Sequence, residues 1–167
     1  MRRYLRLWGS FFANNLTRDM EYKANLIAGI AVDVIFYSVQ YFFFSIIYSY
    51  VDTLGSFTRE DVMVFLIITF ISDSFYMFIF AGNIFPLNRL VVQGDLDFVL
   101  LKPINSQFLV SFRYVRSHAI FSIIILLLML VRQTHMHSLE IGIMNYVFFS
   151  ISFLCGLIIW YSLDFLI

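Results

Sequence analysis

Charge is scarce in this chain. Asp, Glu, Lys and Arg together make up 13% of its residues and hydrophobic residues 61%, whereas a soluble globular domain carries about a quarter and about half. That imbalance excludes an ordinary soluble domain and places the chain among integral membrane proteins. Its 11 basic and 11 acidic residues cancel, which removes the bulk electrostatic case for nucleic acid as a partner. Cysteine is reduced to Cys155, in an apolar run, so an intrachain disulfide is excluded and the compartment is not set by redox chemistry. The phosphate-cradling pattern G-x-x-x-x-G-K-[ST] is missing, as are a nucleophile elbow and a paired-histidine metal helix. Nothing in the sequence marks an enzyme or a directly bound cofactor. Energy for any driven work must then enter from a partner or a gradient.

What is present is hydrocarbon in long runs. Aromatic residues reach 20%, a composition suited to lipid-facing surfaces and interfacial belts. Over residues 1–25 no uninterrupted signal-peptide core forms, because Gly9, Ser10, Asn14 and Asn15 break the apolar positions, and the segment reads as retained. Tyr4, Trp8, Phe12, Leu16 and Met20 recur every fourth residue, with Arg2, Arg3, Arg6 and Arg18 largely elsewhere. This spacing predicts an amphipathic helix lying in the membrane interface. Four apolar runs follow, at 26–51, 62–85, 114–131 and 141–167, each read as a span of the ~20 residues that a bilayer requires. In the third, Arg116 and His118 are expected to snorkel to the headgroups. With the N-terminus inside, every basic residue except Arg59 and Arg132 falls on the cytoplasmic side, a strong positive-inside bias. The expected architecture is thus an all-α integral membrane protein with one transmembrane domain over 1–167.

The cytoplasmic loop 86–113 holds the most organised stretch, Gly94-Asp95-Leu96-Asp97-Phe98-Val99-Leu100-Leu101-Lys102-Pro103-Ile104-Asn105. It reads as a short helix with both ends marked. Gly94 takes a left-handed backbone that closes the preceding helical segment, and Asp95 is placed to cap the next one. Asp97 and Lys102 match the helix dipole, and Pro103 stops the ladder. A capped apolar helix outside the bilayer invites a protein partner.

Within the first two spans the conspicuous residues are Asp33 and Asp73. An Asp near a span centre is disfavoured by about 2.5–3.5 kcal/mol on insertion scales, so both should face protein or a wet cavity. Ser72, Ser74 and Tyr76 flank Asp73, while Asp33, Tyr37, Gln40, Tyr41 and Tyr48 fall on or near one stripe. The polar seam reads either as a translocation path or as satisfied packing, and neither of these two spans supplies a basic partner. His135 and His137, with Glu140 nearby, offer too few ligands for zinc. Asn15-Leu16-Thr17 matches the glycosylation pattern by chance, being on the cytoplasmic side. Ser152 and Gly156 have the spacing of a close helix approach.

The basic amphipathic lead-in, Tyr22-Lys23-Ala24-Asn25 before the first span, and Gly94-Asp95-Leu96-Asp97 followed by Leu100-Leu101-Lys102-Pro103-Ile104-Asn105 together resemble the membrane subunits of type-two ABC transporters. More narrowly, they resemble the bacterial permease family related to drug and daunorubicin-type exporters. Members of that family usually carry more spans, so the chain resembles the N-terminal part of one. The resemblance implies a non-catalytic permease subunit in the bacterial cytoplasmic (inner) membrane. It further implies that Gly94, Asp95, Leu96, Asp97, Leu100, Leu101, Lys102 and Pro103 form a coupling helix. That helix would dock on a separate ABC ATP-binding subunit, where ATP and Mg are bound, and the permease would pair with a second, identical or related permease. Two other readings stay open: a gradient-driven transporter or channel using Asp33 and Asp73, and a non-transporting membrane anchor or assembly factor.

Overall fold

A computed structural model describes residues 2–84, 86–136 and 143–164. Its first helix, α1 (Arg2–Glu21), breaks at Tyr22 and continues as α2 (Lys23–Tyr50). At ~1.5 Å per residue α2 is about 42 Å long. A tight hairpin follows, pairing β1 (Thr53–Leu54) with β2 (Phe57–Thr58) in antiparallel register Thr53 to Thr58. Its two-residue turn opens on Gly55 at φ +65°, a backbone that an L side chain rarely adopts. Thr58 then caps α3 (Arg59–Tyr76) in a reciprocal box with Asp61. The helix loosens into a π-helical segment (Met77–Ala81) and a last turn, α4 (Gly82–Ile84). Three short helices come next: α5 (Leu87–Gln93), α6 (Leu96–Leu100) and α7 (Ser106–Phe112). Beyond a non-helical link at 113–117, α8 (His118–Met136) and α9 (Ile143–Asp164) complete the described chain.

The core sits where α3 packs on α8 and α2. Met63, Leu66, Ile67, Phe70 and Ile71 of α3 are buried against Tyr37 and Leu126, spaced three and four apart as one helical face requires. Nearer the short helices, Tyr76 stacks on Trp160 at a centroid distance of 4.6 Å and its hydroxyl bonds the Asp164 carboxylate. These contacts seat α9 on α3. Outside the core the surface is apolar. Ile27, Val32, Ile35, Phe36, Val39, Phe43 and Ile46 of α2 are exposed, an arrangement that water disfavours and lipid tolerates.

Two helices, Lys23–Tyr50 and Arg59–Gln93, are long and apolar enough to cross a membrane, and His118–Gln133 and Ser150–Asp164 are shorter apolar helices. The architecture is that of an all-α integral membrane protein. The third apolar run differs from its expected bounds, for its helix begins at His118 rather than Tyr114 and continues to Met136. The cause is visible in the backbone of 113–117, whose polar groups are bonded to side chains and carbonyls of other elements. The expectation for His135, His137 and Glu140 lies outside the described residues, since 137–142 are not described and only the backbone of His135 is.

Candidate functional site

Three helices bring polar side chains together inside the bundle. From α2, Asp33 and Tyr37 lie one turn apart; α3 supplies Asp73 and Ser74; α8 supplies His118 and Ser122. The Tyr37 hydroxyl donates to Asp73 Oδ2 at 2.9 Å and lies 2.8 Å from Ser74 Oγ. Having given its one proton to Asp73, it accepts from Ser74. Ser122 Oγ donates to Asp33 Oδ2 at 2.8 Å, and His118 Nε2 stands 4.0 Å from the same oxygen. Both acids therefore have hydroxyl partners from a neighbouring helix, as a carboxylate at membrane depth requires.

The first two spans supply no basic side chain to these acids, and the nearest one, His118, comes from the third. Arg116 and His118 line a cavity of about 510 Å³ with Asp33, Tyr37, Asp73 and Met77. The bare Cα of Gly29 admits the imidazole: a Cβ built there would stand 2.9 Å from His118 Cγ. Arg116 Nη1 lies 3.8 Å from Met77 Sδ, and Met77 opens the π-helical segment, a distortion frequent at functional sites. Gln40 is not among the residues lining this cavity. Of the residues flanking Asp73, Ser72 bonds its own Ile68 carbonyl at 3.0 Å and Tyr76 turns to Asp164. Ser74 alone of these joins the cluster, through Tyr37.

At one end of the bundle the short helices form an apolar crest. Gly94, at φ +77°, turns the chain between α5 and α6, and Pro103 follows the last turn. Asp95 makes no side-chain cap bond, being itself in helical backbone. The next helix, α7, does have a side-chain cap: Asn105 Oδ1 accepts from Phe108 N at 3.0 Å. Val99 anchors α6 at 7% exposure, whereas Leu101 is 80% exposed, and Val91, Val92, Phe98 and Leu100 are exposed with it. Half a turn separates the anchor from the crest.

Between crest and cleft lies the link 113–117, and two asparagines hold it. Asn83 donates to Tyr114 O at 2.7 Å and accepts from Tyr114 N at 2.6 Å. Asn15 donates to Arg113 O at 2.9 Å, and the Asp19 carboxylate accepts from Ser117 N at 3.4 Å. Arg116 N donates to Phe78 O in the π-helical segment at 3.3 Å. Irregular backbone is tolerated near a membrane when protein satisfies it, and here α1, the π-helical segment and α4 do so. Asn15 is buried, so the match to a glycosylation pattern has no exposed amide behind it. The role of neither asparagine on this link is legible in the sequence, because their partners are 98 and 31 residues away.

No curated protein and no solved structure matches the chain. A family model described as ABC-2 family transporter protein matches residues 34–167, a stretch that takes in the apolar crest, the link 113–117 and the cleft residues from Phe36 onward, Asp73, Arg116 and His118 among them, but not Asp33. With well over half of its length so matched, this all-α membrane protein belongs to the ABC-2 family of transporter proteins.

Proposed function

We propose that the chain is the permease subunit of an ATP-driven exporter, and that a separate ATP-binding subunit docks on the crest formed by α5 and α6. The observation that carries this reading is the exposed row of Val92, Phe98, Leu100 and Leu101 on short helices braced from beneath by Val99. Covering each such side chain contributes about 1.5–3 kcal/mol, enough for a few of them to hold a partner. Membership of the family supports a permease role in an ABC transporter. The basic residues around this end, Arg2, Arg3, Arg6, Arg89, Lys102 and Arg113, support a cytoplasmic orientation for it and for the N-terminus. The membrane is then the bacterial inner membrane, and a second permease, identical or related, completes the translocation path.

In this mechanism ATP and Mg act in the partner, and the permease supplies geometry. Closure of the ATP-binding subunits displaces α6, and α7 transmits the displacement to the link 113–117. Because Asn15 and Asn83 tie that link to α1 and α4, the movement passes into α8 rather than dissipating in a loose loop. His118 and Ser122 ride on α8, so the polar cleft changes width. Asp33, Tyr37 and Asp73 line the path, and Gln40 lies one turn further along α2.

Co-expression with the ATP-binding subunit tests the reading. The wild-type chain is expected to co-purify with it, and Leu100→Glu with Leu101→Glu to lose it while melting at the wild-type temperature. Retention of both partner and transport by that variant would contradict the docking role. Flux driven by pH without ATP and abolished by Asp73→Asn would replace it with a gradient-driven transporter.

A further inference from the structure

Two cavities meet inside the bundle at Tyr37. One is the polar cleft of about 510 Å³ that holds Asp33, Asp73, Arg116 and His118. The other, of about 270 Å³, is lined by Val34, Ser38, Tyr41, Phe70, Leu126 and Met129 together with Tyr37 and Ser122. Tyr37 lines both cavities, and the 2.8 Å bond from Ser122 Oγ to Asp33 Oδ2 joins a residue of the apolar cavity to one of the polar cleft.

We propose that the polar cleft and the apolar cavity are two halves of one site for an amphiphile with a cationic head, whose tail passes the Asp33–Ser122 tie. The proposal rests on the permease reading and names its substrate class. Among the described residues the ties at Asp33 and Asp73 each engage Oδ2, and a carboxylate has about four acceptor positions, so both acids retain capacity for a donor. Phe36, Tyr37 and Met77 border the same cleft, and aromatic faces and a thioether suit an ammonium group. Arg116 stands beside Met77, and His118 rests on Gly29. The lining sets two carboxyl groups, Asp33 and Asp73, against the single guanidinium of Arg116 and the imidazole of His118. A metal ion is the poorer occupant, since no three His, Cys, Asp or Glu among the described residues are grouped to hold one. Both volumes together lie within the roughly 300–1,000 Å³ of small-molecule sites.

The test uses the full chain in nanodiscs, with Cys155→Ser and a single reporter, Ser38→Cys, in the apolar cavity. The rate of maleimide labelling is read against decyltrimethylammonium, decanoate and tetramethylammonium. Decyltrimethylammonium is expected to protect the reporter, and the other two to leave its rate unchanged. Asp33→Asn and Asp73→Asn should each raise the half-protecting concentration roughly tenfold or more. Because an aspartate variant can lose its fold, the unsubstituted chain supplies a second readout. Its melting temperature should rise with decyltrimethylammonium and not with decanoate. Equal effects of the cation and decanoate in either measurement, or protection by tetramethylammonium alone, would overturn the proposal. Such a failure with capture of the ATP-binding subunit intact would remove the substrate class and leave the permease reading standing.

Discussion

Replacing Asn83 by leucine isolates the joint between the short helices and α8. The side chain is 3% exposed, so water does not readily take over its bonds. Leucine has the same number and branching of side-chain heavy atoms but leaves Tyr114 without its acceptor at 2.6 Å and its donor at 2.7 Å. Each unmet buried polar group is destabilising by about 1–3 kcal/mol, so the pair accounts for roughly 2–6 kcal/mol of a total stability of about 5–15 kcal/mol. The loss is local to 113–117, and that link contains Arg113 and Arg116, both cleavage points for trypsin. When opening is fast relative to cleavage, the rate follows the open population. Even the lower bound of ~2 kcal/mol multiplies that population roughly thirtyfold. Limited trypsinolysis in detergent micelles should therefore cut Asn83→Leu at these arginines at least that much faster than the wild type. Asn83→Asp keeps an acceptor for Tyr114 N but loses the donor, and should fall between. Cleavage of the leucine variant at the wild-type rate would refute the role given to this amide.

Other consequences can be measured singly. Tyr37→Phe keeps the ring 4.9 Å from that of Phe70 and removes the bonds to Asp73 and Ser74; a loss of about 1.5–3 kcal/mol is expected in denaturant titration, and a wild-type midpoint would show that the hydroxyl ties contribute nothing. Outside the membrane-spanning part, the Asp61 carboxyl is held below the usual carboxylate range, first by the Thr58 hydroxyl at 2.7 Å and then by the Thr58 backbone N–H at 3.0 Å. A group depressed on folding stabilises fully above its unfolded value of ~3.9 and loses that contribution as pH falls through the folded value. The protection of amides at the start of α3, taken relative to the intrinsic exchange rate at each pH, should therefore fall on acidification below about pH 4 and become insensitive to it in Asp61→Asn. Acid sensitivity unchanged in that variant would place its origin elsewhere.

The residues that announced themselves in the sequence were those whose work is local. Gly94 and Pro103 bound α6 because a left-handed residue and a missing N–H act on their immediate neighbours, wherever the chain lies. Asp95 misled because its own backbone is helical, which leaves α6 without a side-chain cap, while Asn105 caps the next helix, α7. The Thr58-to-Asp61 box and the Gly55 turn carry short-range signals of the same kind and are legible once sought. Asp33, Tyr37 and Asp73 were marked by polarity within apolar runs, which tells that they must find partners but not which ones. Their partners, Ser122 of α8 for Asp33 and each other for Tyr37 and Asp73, depend on how helices pack, and the contact of His118 with Gly29 crosses 89 residues of sequence. Asn15 and Asn83 were hidden more thoroughly, since an asparagine in an amphipathic or apolar helix looks the same whether it faces lipid headgroups or a broken backbone. The π-helical segment left no mark that periodicity could detect.

The claim on which the account turns is that the crest of α6 meets an ATP-binding subunit, and site-specific photocrosslinking in native membranes tests it most directly. A benzophenone side chain at Leu101, on the crest, is compared with one at Tyr50, which is equally exposed but lies beside the hairpin. Crosslinks from Leu101 to a subunit carrying a phosphate-binding loop, with none from Tyr50, are the expected result. Crosslinks to that subunit from Tyr50 and not from Leu101 would contradict the account.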